Sequence, residues 1–288
     1  MSRRAVTALV LLSLAVVLVA TGIYVRRNRP TTTLTLTEVQ GTVKVTGPDA
    51  REQQATPGLA IDPRDRVATG DASRAVLEVG AQTRIRLGPV SSVRVDEVDE
   101  DGVQIELEEG ALHATVRPDS APVRLSNRGR QALITDGDVS MGVGSDDMLL
   151  LEATRGDAML GGIVGAPILE QGQRLVVGKG EHVEIGKIPQ NLLLAVQWPD
   201  KPRTRDQTVT LPGKTEPGAL VRVEGSAGVQ ETHADAQGHF EVQLPLYEGE
   251  NPVHVQATDL LGHEIQDKGV LERDQSGPTF RGGVEYGP

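Results

Sequence analysis

Between Arg66 and Val95 the chain reads RVATGDASRAVLEVGAQTRIRLGPVSSVRV, and its apolar residues fall on every second position. Ala75, Leu77 and Val79 form one run, Thr83, Ile85 and Leu87 a second, Val93 and Val95 a third. Successive side chains of a strand leave opposite faces, so period two builds a sheet with one buried face. Gly80 and Gly88-Pro89 break the runs at turn positions. This pattern commits the stretch to short strands joined by tight turns.

The same cadence extends in both directions. GTVKVTG, VQIELEEG, ALHATV, PVRLSN, QALIT, VSMGVG, MLLLEATRG, QRLVVGKG and EHVEIG follow one another at spacings of about 8–12 residues, as in a β-roll, sandwich or short solenoid. No segment before residue 189 carries a capped 3.6-residue period. NLLLAVQW (191–198) is ambiguous between a helical turn and a strand, and strand or linker is favoured. After the proline-rich QWPDKPRTRDQ, alternation resumes with Val209, Leu211, Val221, Val223, Phe240, Val242, Leu244, Val253, Val255 and Ala257, as expected of a small β-sandwich. The domains expected are 1–30, an anchor with basic flanks; 31–190, a β domain; 191–207, a linker; 208–271, a β-sandwich; and 272–288, a flexible tail.

Ala5–Val25 is uncharged over 21 residues, enough for a helix of roughly 30 Å. Arginines flank it, and Tyr24 occupies an interfacial position. A cleaved signal peptide is the rival reading, with Ala20-Thr21-Gly22 as a weak cleavage site, but the apolar run exceeds the usual signal core. An uncleaved single-pass anchor in the cytoplasmic membrane is therefore expected. Charge does not set its orientation, because Arg3 and Arg4 oppose Arg26, Arg27 and Arg29. Short strands and an acidic surface favour export of residues 31–288, and the family resemblance given below implies their placement in the periplasm.

The net charge is −11 for the chain and −16 once the five arginines of residues 1–30 are set aside. An acidic body repels nucleic acid, and no aromatic residue lies between Val25 and Gln197 to stack on bases, so no nucleic-acid partner is expected. There is no cysteine, hence no disulfide, thiolate metal site or lipid-attachment cysteine.

Candidate sites are few. His233, Asp235 and His239 in HADAQGH could face one another across a hairpin as metal ligands. The bland alternative is a D-x-x-G turn with flanking histidines, and it is favoured because no third strong ligand is spaced to complete a site. DEVDEDG (96–102) packs five carboxylates, but its spacing fits no EF-hand, and a solvated acidic turn is expected. G-x-S-x-G, H-E-x-x-H and a cysteine nucleophile are absent from the sequence. No catalytic residue, metal or cofactor is assigned, and a non-enzymatic protein is expected.

Gly41, Val43, Val45, Val67, Thr69, Gly70, Ser73, Ala75, Leu77, Ile85, Leu87, Leu107 and Gly110 together resemble the FecR domain family, over roughly residues 38–188. Gly213, Thr215, Pro217, Gly218, Ala219, Val221, Val223, Asp235, Gly238, Phe240, Leu246, Gly249, Asn251, Val255, Ala257, Asp259 and Gly262 are similar to bacterial Ig-like modules of the glucodextranase B type. The expected fold is thus all-β: an N-terminal transmembrane helix, a FecR-type β-roll or short β-solenoid, then an Ig-like β-sandwich. The resemblance implies contact with envelope protein partners, in the outer or inner membrane. FecR-type proteins regulate a sigma factor through a cytoplasmic segment, whereas only about four residues precede Ala5 here, which disfavours direct sigma-factor control. The leading expectation is a scaffold or adaptor. The alternatives are a signal-relay sensor of the FecR type and a carbohydrate- or peptidoglycan-binding module.

Overall fold

Val43 and Val45 are buried while Lys44 between them is exposed, and that alternation sets the architecture. The computed structural model describes residues 33–275 apart from 81, 100, 145, 146, 179 and 181. The chain opens with β1 (Leu34–Gln40), β2 (Val43–Thr46), β3 (Glu52–Gln54), β4 (Leu59–Ile61) and β5 (Arg66–Thr69). It continues through β6 (Arg74–Val79), β7 (Thr83–Leu87), β8 (Ser92–Asp99), β9 (Gly102–Val116) and β10 (Val123–Asn127). Next come β11 (Arg130–Ile134), β12 (Gly137–Val143), β13 (Leu149–Arg155) and β14 (Ala158–Gly161). The first body closes with β15 (Ile168–Leu169), β16 (Gln173–Val177) and β17 (Val183–Lys187).

Lateral pairing arranges these strands in two sheets. The first has the order β4-β1-β6-β7-β9-β12-β13-β16-β17. The second has the order β3-β2-β5-β8-β9-β10-β11-β14-β15. β9 belongs to both. Its first half pairs with β8 and β10, its second with β7 and β12, and Gly110 at the crossing takes φ +80, a backbone conformation that favours glycine. Gly110 is therefore a kink within one 15-residue strand. An aliphatic core including Leu34, Leu77, Ile85, Leu107, Leu125, Met141 and Leu151 fills the space between the sheets. Burying each such side chain contributes about 1.5–3 kcal/mol.

The second body contains β18 (Leu194–Val196), β19 (Arg203–Thr204), β20 (Thr208–Thr215) and β21 (Leu220–Gly225). β22 (Gly228–His233), β23 (His239–Pro245), β24 (Gly249–Thr258) and β25 (Glu264–Arg273) follow. Its sheets, β18-β20-β23 and β19-β25-β24-β21-β22, bring together a separate core around Leu211, Val221, Val223, Phe240, Val242, Val253 and Val255. The segment 191–207 contributes β18 and β19 to these sheets. Trp198 packs against the second core and its indole N–H donates to Asp267 Oδ2 at 3.0 Å.

The described residues contain no α-helix, and none of their elements is long and apolar enough to cross a membrane as a helix. Ala5–Val25, the stretch expected to do so, lies outside the described residues. The expectation of a fold led by a transmembrane helix is corrected accordingly, and with it the expected single-pass location in the cytoplasmic membrane. The physical reason is in the backbone: its N–H and C=O groups are paired laterally between strands, whereas a spanning helix pairs them within one segment.

Candidate functional site

The outward face of the first sheet carries a row of polar residues that the strand register aligns. Arg86 on β7 lies opposite His113 on β9, His113 opposite Ser140 on β12, Ser140 opposite Glu152 on β13, and Glu152 opposite Arg174 on β16. Directly opposed residues on neighbouring strands have Cβ atoms about 4.5–5.5 Å apart, so each can touch the next. His113 Nδ1 is 2.9 Å from Ser140 Oγ, and Arg174 Nε donates to Glu152 Oε1 at 2.8 Å.

The second body docks on this face. Met148, Leu150 and Val176 form a small apolar cluster with Ala236, Leu260 and Leu261. Gly142 lies beneath Leu260 so closely that a Cβ there would sit 2.6 Å from the Leu260 carbonyl oxygen. Beside this cluster Glu216, in the turn after β20, accepts a hydrogen bond from Arg174 and another from the Leu193 N–H at 3.2 Å. The guanidinium thus sits between two carboxylates, with its side chain 11% exposed and both glutamates 8% exposed. Burial opposes the charge on Arg174, but the hydrogen bonds it donates to Glu216 and Glu152 outweigh it and hold the guanidinium above its ordinary value.

The turn from Asp259 to His263 descends onto the polar row. Asp259 Oδ1 accepts the N–H groups of Leu261 and His263 at 2.9 and 2.8 Å, and its Oδ2 lies 2.9 Å from His263 Nδ1. Clefts open on either side of the turn. One, of about 540 Å³, is rich in acid: Glu108, Glu109, Asp147, Asp259 and Glu264 line it with Arg128 and His233. The other, of about 390 Å³, carries Arg74, Arg86, His113, Ser140 and His263 and no carboxylate.

Burial lowers the pKa of His113, and the nearby Arg86 charge adds to the effect. Burial alone would raise Asp138, yet hydrogen bonds from Arg155 and Thr115 hold it below its ordinary value. An ionised Asp138 can only accept, so Thr115 donates its hydroxyl proton there. That leaves the Thr115 oxygen, 3.4 Å from His113 Nε2, to accept the ring N–H, and Nδ1 to accept from Ser140.

The residues singled out from sequence do not converge. Asp235 Oδ1 accepts the N–H groups of Gln237 and His239 at 2.9 and 2.8 Å, stabilising the turn, and His239 Nδ1 lies 3.8 Å from Asp235 Oδ2. His233 ends β22 opposite Leu220 and lines the acidic cleft. Among the described residues, no group of three or more His, Cys, Asp or Glu side chains is placed to hold a metal. In the acidic turn, Asp99 Oδ1 accepts from the N–H groups of Asp101 and Gly102, and Asp96 pairs with Arg94. The docking face left one signal in the sequence: Leu149, Leu150 and Leu151, like Val176 and Val177, are consecutive apolar residues, the mark of strands covered on both faces.

These features define an all-β protein of two packed bodies with a cleft-flanked junction. Residues 65–159, about a third of the chain, match the FecR protein family. No curated protein shows significant similarity to the chain. Two crystal structures, at 1.65 and 2.50 Å, of a candidate anti-sigma factor from Parabacteroides distasonis ATCC 8503 are each similar at 13% identity with a TM-score of 0.38. The similarity covers 42% of this chain and 59% of that protein's. A tetra-tandem repeat from the extending region of a large adhesion protein is similar at 15% identity over 85% of this chain and 68% of its own, with a TM-score of 0.26. TM-scores this low establish no shared overall fold.

Proposed function

We propose that the protein is a non-enzymatic regulatory module of the FecR type, which relays a signal by engaging a protein partner. The observation that carries this reading is the FecR match over residues 65–159, which includes β6 to β13 and therefore most of the face on which the second body docks. It favours the regulatory alternative over the simple scaffold placed first from sequence. Residues 31–190 and 208–271 serve as two domains, the latter an Ig-like module. Their separate cores and the small apolar cluster between them support that division.

Photo-crosslinking the tagged full chain in its producing cells, followed by mass spectrometry, tests the reading. A reproducible protein partner joined through residues 65–159, lost when that surface is substituted, is the expected result. Cross-links scattered over many proteins, or a purified chain that turns over a substrate, would overturn it.

A further inference from the structure

The carboxylate-free cleft is unexpected in a chain of net charge −11. Carboxylates near its arginines on the same sheet face are held by other arginines. Glu78 binds Arg84 at 2.6 Å, Asp138 binds Arg155 at 2.7 Å, and Glu152 binds Arg174 at 2.8 Å. The side chains of Arg74 and Arg86 are left with no hydrogen bond or ion pair among the described residues. They also stand together. Arg86 lies opposite Val76, two residues from Arg74 on the same face of β6, which puts the two Cβ atoms within roughly 7–8 Å. Guanidinium groups on stems of that length can reach one small anion.

The opposite wall comes from the second body. His263 reaches the cleft from the Asp259–His263 turn, with Nδ1–H donated to Asp259, so Nε2 donates to an anion when the ring carries both protons. Glu109 and Glu264 belong to the adjoining acidic cleft and do not line this one. We propose that this cleft binds an oxyanion, a carboxylate or phosphate group, held by Arg74 and Arg86 from the first body and by His263 from the second. Planar guanidinium forks match both anions, and two of them on one sheet face give directional recognition that scattered surface charge does not. Because both bodies supply ligands, occupancy adds to the contacts that hold them together. The inference stands apart from the proposed regulatory role: anion binding can succeed or fail whatever the partner.

Histidines supply the readout. The full chain is titrated with inorganic phosphate and separately with citrate, at constant ionic strength, while the imidazole signals of its six histidines are followed by NMR. Saturable shifts of His113 and His263, with His182 and His254 unmoved, are expected. Arg74→Gln and Arg86→Gln should each weaken binding about tenfold, and Arg205→Gln, exposed and away from the cleft, should leave it unchanged. Saturation by phosphate alone assigns a phosphate ligand, and by citrate alone a carboxylate; either supports the proposal. Uniform drift of all six signals, no saturation with either anion, or saturation that survives the Arg74→Gln/Arg86→Gln double substitution would overturn it.

Discussion

Arg174 on β16 and Glu216 beyond β20 form a buried ion pair that joins the two β bodies, and Glu152 completes it from β13. The three groups are strongly coupled because each carboxylate depends on the same guanidinium. Arg174→Met leaves two buried carboxylates without a cation and should destabilise the protein by about 3–5 kcal/mol. Glu216→Gln, which leaves the Glu152 pair intact, should cost about 1–2 kcal/mol. Urea denaturation of the full chain measures both, and equal effects would refute the shared dependence.

Close approach at Gly142 provides a second test. Alanine there places a methyl group 2.6 Å from the Leu260 carbonyl oxygen, so the turn above must move. Gly142→Ala should cost about 1–3 kcal/mol by overpacking. Hydrogen exchange should accelerate selectively in the Asp259–His263 turn, while amides of the strands that build either core keep their protection.

His113 makes stability depend on pH. Its folded pKa lies below the ordinary 6.5, so on acidification through that value the unfolded chain takes up a proton that the folded chain resists. Stability contributed by the neutral ring is present above 6.5 and is lost as pH falls from 6.5 toward the lower folded value. Melting temperature should therefore drop over that window, and His113→Asn should flatten the slope. Arg86→Gln should raise the His113 pKa, as followed through its ring signals.

Asp235 serves the turn between β22 and β23. Asp235→Ala should cost about 1 kcal/mol, by leaving the N–H groups of Gln237 and His239 without their carboxylate. Added zinc should leave the melting temperature of the parent chain unchanged. A zinc-dependent rise lost in His233→Ala and His239→Ala would refute this.

Period-two alternation made most of the strands legible. Val43, Val45, Ala75, Leu77, Ile85, Leu87, Val93 and Val95 point into the core as their spacing requires. Two things were hidden. The polar row from Arg86 to Arg174 exists only through the register of β7, β9, β12, β13 and β16, and single-strand periodicity carries no register. Docking of the second body was hidden for a related reason, since Leu260 and Gly142 are far apart in the chain. The doubled apolar positions in MLLLEAT and RLVV were the local trace of that contact.

Trp198 sits against the second core, whereas the described residues of the first body include no Phe, Tyr or Trp. Intrinsic fluorescence will consequently follow the melting of one half of the molecule and pass over the other in silence. A sigmoidal emission curve alone therefore says nothing of whether both halves come apart together; far-ultraviolet dichroism, which sees every strand, recorded on the same sample, does.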